Sequence, residues 1–308
     1  MTAVTLIAEI GSNHDGDLDT AKRYIEVAAR SGAHVAKFQS LSREGLIAPR
    51  ILDPQTGEIV DNPKYAAFGN QGLSEAWHYA LKACCDENGI EFMSTPFSLD
   101  AVDLLEDVGV NRYKIASGDM TFRALQKRVA ETGKPVIQST GASYLDEVED
   151  TVGFLQAAGC DDLTVLHCTA TYPPAWDDMN LNALTTLKAR FPDLVLGLSD
   201  HSPGALAPIA AVTLGARMVE KHVTFDRTSP GPDHPFAMEM DEFAQLAEDL
   251  SHLILALGSA EKTPAASEFH RRNNLRRGLY DARTGEPTEG PDGVWLRPSR
   301  GENDGRTE

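Results

Sequence analysis

A regular alternation constrains this chain more than any other feature: a short β-branched or apolar run, then a longer amphipathic stretch, repeated about eight times over 308 residues. Strands that alternate with helices form parallel sheets, because two parallel neighbours need a long crossover and a helix supplies it. The strand candidates are residues 6–11, 34–40, 91–97, 112–117, 135–141, 163–169, 195–201 and 218–224. Helices are expected to begin near Asp17, Leu73, Ser98, Thr121, Tyr144, Asn180, Gly204 and Met240. Ser98 precedes an apolar-periodic run as a cap, and acidic residues follow Tyr144 in a first turn. Gly32, Gly89 and Gly133 stand where a helix ends in the left-handed region. Eight units with short connections close a barrel more readily than they make an open sheet. The predicted fold is therefore one (β/α)8 TIM barrel over residues 1–282, a size that matches the roughly 250 residues such barrels need.

Two segments break the rhythm. Residues 41–72 form a long insertion after the second strand, rich in Pro and Gly, and are read as a lid over the barrel mouth. From Arg283 onward apolar residues thin out, which predicts a short, flexible, irregular tail over 283–308. The formal charge of −18 disfavours nucleic acid and anionic membrane surfaces as partners. One basic group, Arg271, Arg272, Arg276 and Arg277, is either a solvated face or a contact for an anion or a partner. The four cysteines show no metal-type spacing and no disulfide framework, so a reducing cytoplasm is the expected compartment. No run approaches the roughly 20 apolar residues of a membrane span, and Met1 to Ile10 lack a cationic leader.

Catalytic groups of a barrel of this kind stand at the C-terminal ends of its strands. All eight strand ends here are polar: Glu9 with Ser12-Asn13-His14, Lys37 with Gln39, Thr95, Lys114 with Ser117 and Asp119, Ser139-Thr140, His167-Cys168-Thr169, Ser199-Asp200-His201, and Glu220-Lys221-His222. A buried polar group without a partner costs about 1–3 kcal/mol, so eight polar endings point to a site rather than to a core. Lys37, Lys114, Thr95, Ser117, Ser139 and Ser199 offer donors to a phosphate and a carboxylate. Taken alone, either lysine is equally well explained by an ion pair with a neighbouring acid. His201 and His222 close successive strands and form a candidate site for one divalent metal, with Asp200 and Glu220 as candidate supports behind them. His14 and His167 are weaker candidates and read as structural or loop histidines.

The blocks from Ile7 to His14 and Val35 to Gln39 resemble the sialic acid synthase (N-acetylneuraminate synthase) family. The likeness continues at Phe92 to Phe97, Tyr113 to Gly118, Ser139-Thr140-Gly141, His167 to Thr169 with Tyr172-Pro173, Gly197 to His201, Glu220 to His222, and Pro230 to Asp233. The resemblance implies a metal-dependent condensation of phosphoenolpyruvate with N-acetylmannosamine or a related open-chain aldose, giving a 2-keto-3-deoxy sugar acid and phosphate. It further implies that Lys37, Thr95, Lys114, Ser117 and Ser199 hold phosphoenolpyruvate, joined on residue chemistry by Ser139. His201 and His222 would hold Mn²⁺ or Mg²⁺, and Gln39, Tyr172 and Asp233 would contact the sugar. Glu9 becomes a candidate acid or base or a partner of metal-bound water, and Asp119 a catalytic and sugar-contacting residue.

Three departures from the family pattern stand out, two of them at single positions. Asp119 stands where relatives commonly carry Glu, and Ala170 where a polar Asn or Ser is expected. Relatives also continue into an antifreeze-like domain that lends an Arg to the partner's site, while only residues 293–298 resemble a remnant of it. Each departure falls on the sugar side, so the acceptor is expected to differ. A homodimer would rest on barrel surfaces or on the segment near Arg271. Two other readings compete: a class I aldolase using Lys37 or Lys114 as a Schiff-base nucleophile, and an inactive relative that binds a phosphorylated metabolite or a protein.

Overall fold

The computed structural model describes residues 4–67, 72–268, 275–284, 286–290 and 292–297. Eight parallel strands carry the fold: β1 (Thr5–Glu9), β2 (Val35–Ser40), β3 (Glu91–Pro96), β4 (Tyr113–Ile115), β5 (Val136–Ser139), β6 (Leu163–Cys168), β7 (Val195–Asp200) and β8 (Met218–Thr224). The ladder runs β3-β2-β1-β8-β7-β6-β5-β4, and its end strands β3 and β4 lie against each other, so the barrel is nearly closed. Helices follow the strands: α1 (Leu18–Arg30), α2 (Glu75–Glu87), α3 (Leu99–Val108), α4 (Arg123–Ala130), α5 (Leu145–Ala157), α6 (Ala183–Arg190), α7 (Leu206–Thr213) and α8 (Met240–Leu257). Every strand and helix expected from the alternation is present, with ends displaced by up to three residues.

The local causes are those visible in the chain. Asp17, Ser74 and Ser98 cap α1, α2 and α3 through their side chains. Gly32, Gly89 and Gly133 have φ of +86°, +67° and +69°, a region that carries no steric penalty for glycine.

Period-two alternation along each strand separates two layers. One face packs Leu6, Ala36, Phe38, Phe92, Val165 and Val219 against the helices. The other face fills the barrel with a plug of six side chains from six strands, Ile7, Val35, Met93, Ile137, Leu166 and Met218. A Cβ on Gly197 would meet Met218 O at 2.4 Å, so this strand must present a glycine to the plug. Two residues beyond each plug member, on the same inward face, stand Glu9, Lys37, Thr95, Ser139, Cys168 and Glu220. The plug is thus the base on which the polar residues sit.

The insertion after β2 is more ordered than a Pro- and Gly-rich loop implies. It holds a short helix (Arg43–Leu46), an antiparallel hairpin pairing Arg50–Leu52 with Ile59–Asp61, and a second short helix (Pro63–Ala67). The chain forms two compact units, Met1–Leu257 and Gly258–Glu308. That division falls where α8 ends, so the sequence boundary at residue 282 lies inside the second unit. The second unit is not wholly irregular, because Val294–Arg297 pairs with Gly278–Tyr280. The guanidinium of Arg276 stacks on the Tyr280 ring at 4.6 Å, so it does not lie on a bare solvated face. Arg271 and Arg272 lie outside the described residues, as does Pro298 at the end of the remnant-like segment. All four cysteines are free and buried. Among the described residues no helix is long and apolar enough to cross a membrane.

Candidate active site

Strand register decides which side chains meet. Glu9 pairs in register with Lys37 on one side and His222 on the other, Gln39 with Thr95, and Glu220 with Ser199. All thirteen residues singled out from the sequence line one cleft of about 540 Å³ at the C-terminal mouth. They are Glu9, Lys37, Gln39, Thr95, Lys114, Ser117, Asp119, Ser139, Tyr172, Ser199, His201, His222 and Asp233. Leu41, Gly45 and Leu46 of the insertion line the same cleft, a placement that suits a lid.

The floor is a closed charge network. Lys37 Nζ lies 2.7 Å from Glu9 Oε2 and 3.7 Å from Glu220 Oε2, and it donates to Thr95 Oγ1 at 3.2 Å. Lys114 Nζ donates to both oxygens of Glu220 at 2.9 Å, and Ser199 Oγ donates to Oε1 at 2.9 Å. Gln39 Nε2 donates to Glu9 Oε1 at 2.7 Å. Lys37 and Lys114 are each 3% exposed and Glu9 1%, so these charges persist only because they face one another.

The two carboxyls differ in character. Burial, reinforced by the Glu220 charge and opposed by Lys37, pushes Glu9 up to about 7. Glu220 is also penalised by burial, but Lys114 and Lys37 outweigh it and hold the carboxyl far below its usual range. Burial opposes charging of Lys37, yet Glu220 and Glu9 raise it overall. In Lys114 burial wins and the ammonium is weakened. The floor therefore carries one carboxyl that titrates near neutrality beside one that stays ionised.

The rim is different. The His201 and His222 rings stand 5.3 Å apart between centroids. Burial above all lowers His201 to about 3 and His222 to about 4, so both are neutral at pH 7 and keep a lone pair for a ligand. His201 Nδ1 is 3.2 Å from Thr169 O, whereas the buried His222 Nδ1 lacks a hydrogen-bond partner. Asp233 Oδ2 is 3.7 Å from that nitrogen and accepts from Ser12 Oγ at 3.1 Å. The Tyr172 ring lies 4.3 Å from His201. Asp119 Oδ2 is buried without a partner, and burial raises this carboxyl to about 6. Ser139 Oγ is likewise buried and unpartnered, and Ser117 Oγ accepts from Gly141 N at 2.9 Å.

Two supports expected behind the histidines act elsewhere. Asp200 points to the helix layer and accepts from Lys221 Nζ at 2.6 Å. Glu220 anchors the lysine floor, as a period-two reading back from His222 would have shown. His14 and His167 are structural as expected: Gly16 N donates to His14 Nδ1 at 3.1 Å, and His167 Nε2 lies 2.8 Å from Met179 O.

A neutral histidine pair with an unpartnered nitrogen and a nearby carboxylate fits one divalent cation. Among the described residues no group of three or more His, Cys, Asp or Glu is disposed to hold a metal by itself. Such an ion would need substrate and water to complete its sphere.

Fold and cleft together define an enzyme of the (β/α)8-barrel class, with its charged groups at the strand ends. The family model described as NeuB family matches residues 24–262, and the chain belongs to the NeuB family. An uncharacterized protein of Methanocaldococcus jannaschii is 40% identical, over 96% of this chain and 85% of that one. N,N'-diacetyllegionaminic acid synthase of Legionella pneumophila is 37% identical, over 96% of this chain and 86% of its own. The crystal structure of the N-acetylneuraminic acid (sialic acid) synthetase of Leptospira borgpetersenii, in complex with citrate, is similar at a TM-score of 0.78. Its identity is 34%, covering 90% of this chain and 93% of that one.

Proposed function

We propose that the chain condenses phosphoenolpyruvate with an open-chain aldose, releasing phosphate and a 2-keto-3-deoxy sugar acid of the nonulosonic type. The observation that carries this reading is the buried floor, where two ammonium groups, two carboxyls and several hydroxyls converge from seven strand ends. A small, highly charged C3 unit needs such a setting.

In this reading Lys37, Lys114, Thr95, Ser117, Ser139 and Ser199 hold the phosphate and carboxylate of phosphoenolpyruvate. Gln39, Asp119, Tyr172 and Asp233 orient the aldose. His201 and His222 would hold Mn²⁺ or Mg²⁺, which supplies Lewis-acid polarisation of an aldehyde oxygen. C3 of phosphoenolpyruvate forms a bond to the aldehyde carbon while that oxygen takes up a proton. Water adds at C2 and gives its proton to a base, for which Glu9 has the matched affinity. Collapse of the tetrahedral carbon restores a C2 carbonyl and expels phosphate with C–O cleavage. The chain's own work is alignment, charge neutralisation and proton transfer. A homodimer resting on barrel surfaces is part of the same proposal, and light scattering would test it.

The aldolase reading fits less well, because Lys37 is held in its charged form by two carboxylates, and Lys114, though burial weakens its ammonium, donates to both oxygens of Glu220 at 2.9 Å, whereas a Schiff-base lysine must lose its proton and face the substrate. Incubation with Mn²⁺, phosphoenolpyruvate and a panel of aldoses should release phosphate with at least one acceptor. Silence across the panel, with phosphoenolpyruvate still bound, would favour an inactive binding protein.

A further inference from the structure

A second cavity, of about 840 Å³, opens beside the cleft between the loops that follow β5 and β6. Cys168 and Ala170 line both spaces, so the two share a wall. That wall is thin at Ala170, which carries only a methyl group. The side cavity plays no part in the reaction described above.

Its chemistry is specific. The exposed lip offers Thr171, Asn182 and Thr185, and a deeper apolar floor is made by Val148 and Leu187. Thr185 Oγ1 donates to Asn182 O at 2.7 Å, whereas the Asn182 side chain forms no helix cap and stays available. Tyr144, 80% exposed, stands at the edge with its ring free to stack. Among the described lining residues there is no Lys or Arg, and Asp178 contributes a carboxylate. Such a lining suits a neutral ligand rich in hydroxyls or amides and discourages a phosphate. The volume falls in the range of about 300–1,000 Å³ usual for small-molecule sites and exceeds the needs of one acyl group.

We propose that this side cavity is an extension subsite, which takes a neutral, hydroxyl- and amide-bearing unit about the size of one further sugar carried by the acceptor beyond its reacting carbons. The inference rests on the proposed condensation for the identity of the acceptor, but it has a readout of its own. An aldose held at the histidine rim by its aldehyde end would send its distal end over Ala170, an exposed residue whose methyl group stands between the two spaces. Hydroxyl and amide groups then meet Asn182 and Thr171, while an apolar face rests on Tyr144.

The test pairs an N-acylamino aldose with the same aldose bearing a neutral glycosyl unit on its distal hydroxyl, and adds a distally phosphorylated aldose. Each is assayed for phosphate release with the full chain and with Asn182→Trp, which puts a bulky ring at the cavity lip, at a residue that does not line the cleft. The extended acceptor should lose about tenfold in kcat/KM in Asn182→Trp, through KM, while the plain acceptor and phosphoenolpyruvate change less than twofold. In the parent chain the phosphorylated aldose should be the poorer substrate relative to the extended neutral one. Saturation-transfer NMR of the extended aldose on both proteins reads binding without turnover. Lost NMR contacts with no phosphate release from any acceptor would sink the condensation reading and leave the subsite standing. Equal kinetics and equal NMR contacts for the two proteins would overturn the subsite.

Discussion

The floor and the rim of the cleft differ in how their polar groups are satisfied. On the floor Lys37, Lys114, Glu9 and Glu220 satisfy one another within 2.7–3.7 Å. On the rim His222 Nδ1 and Asp119 Oδ2 are buried with no hydrogen-bond partner. Native proteins seldom leave such groups orphaned, and these two line the cleft, where a ligand would complete them. The floor holds charge in readiness, with the Ser139 hydroxyl left unpartnered beside it, whereas the rim holds unspent donors and acceptors without a charge network to satisfy them. A ligand at the floor must compete with existing ion pairs, and a ligand at the rim completes what is missing.

That contrast is broken most severely by Lys114→Met. Removing the ammonium leaves Glu220 with Lys37 at 3.7 Å as its remaining cation and the Ser199 hydroxyl at 2.9 Å, and breaking a buried charge pair costs about 3–5 kcal/mol. Urea denaturation should show that loss, together with phosphate release reduced by about a thousandfold. If stability falls and activity survives, the floor is structural and not a phosphoenolpyruvate site.

On the rim, His222→Gln should leave stability within about 1 kcal/mol, because the imidazole Nδ1 has no hydrogen bond to lose. Calorimetric titration with Mn²⁺ should instead show affinity lowered by about a hundredfold, with phosphate release falling in parallel. Unchanged Mn²⁺ binding would move the metal away from this pair.

The smallest effect concerns pH. Glu9 titrates near 7, above its ordinary value, so its neutral form dominates below that pH and its charged form above. Neutral Glu9 leaves the floor with one net positive charge more than charged Glu9 does. An anionic ligand therefore binds more tightly below pH 7, and its affinity falls as pH rises through 7, by up to about tenfold per unit. Phosphoenolpyruvate titrations from pH 6.5 to 8.5 should show this limb, and Glu9→Gln should flatten it. A limb that survives the substitution belongs to another group.

Much of this was legible in the chain because a strand has a period of two. From the plug residues Ile7, Val35 and Met93 one counts forward to Glu9, Lys37 and Thr95, and the barrel brings those faces together. The same count runs back from His222 to Glu220, which is why Glu220 joins the lysines while Lys221, between them, turns outward to Asp200. Loops have no such period. The paired strands within the insertion, the ordered 294–297 segment and the side cavity between the β5 and β6 loops depend on how turns fold back. Local residue chemistry does not specify that.

The account's central claim is that the acceptor is attacked by carbon and that phosphate leaves from C2 of a hydrated adduct. Phosphoenolpyruvate labelled with ¹⁸O at the bridging oxygen tests it directly, with mass spectrometry of both products after turnover. The label should leave with the phosphate; label kept in the sugar acid would mean P–O cleavage and contradict the mechanism.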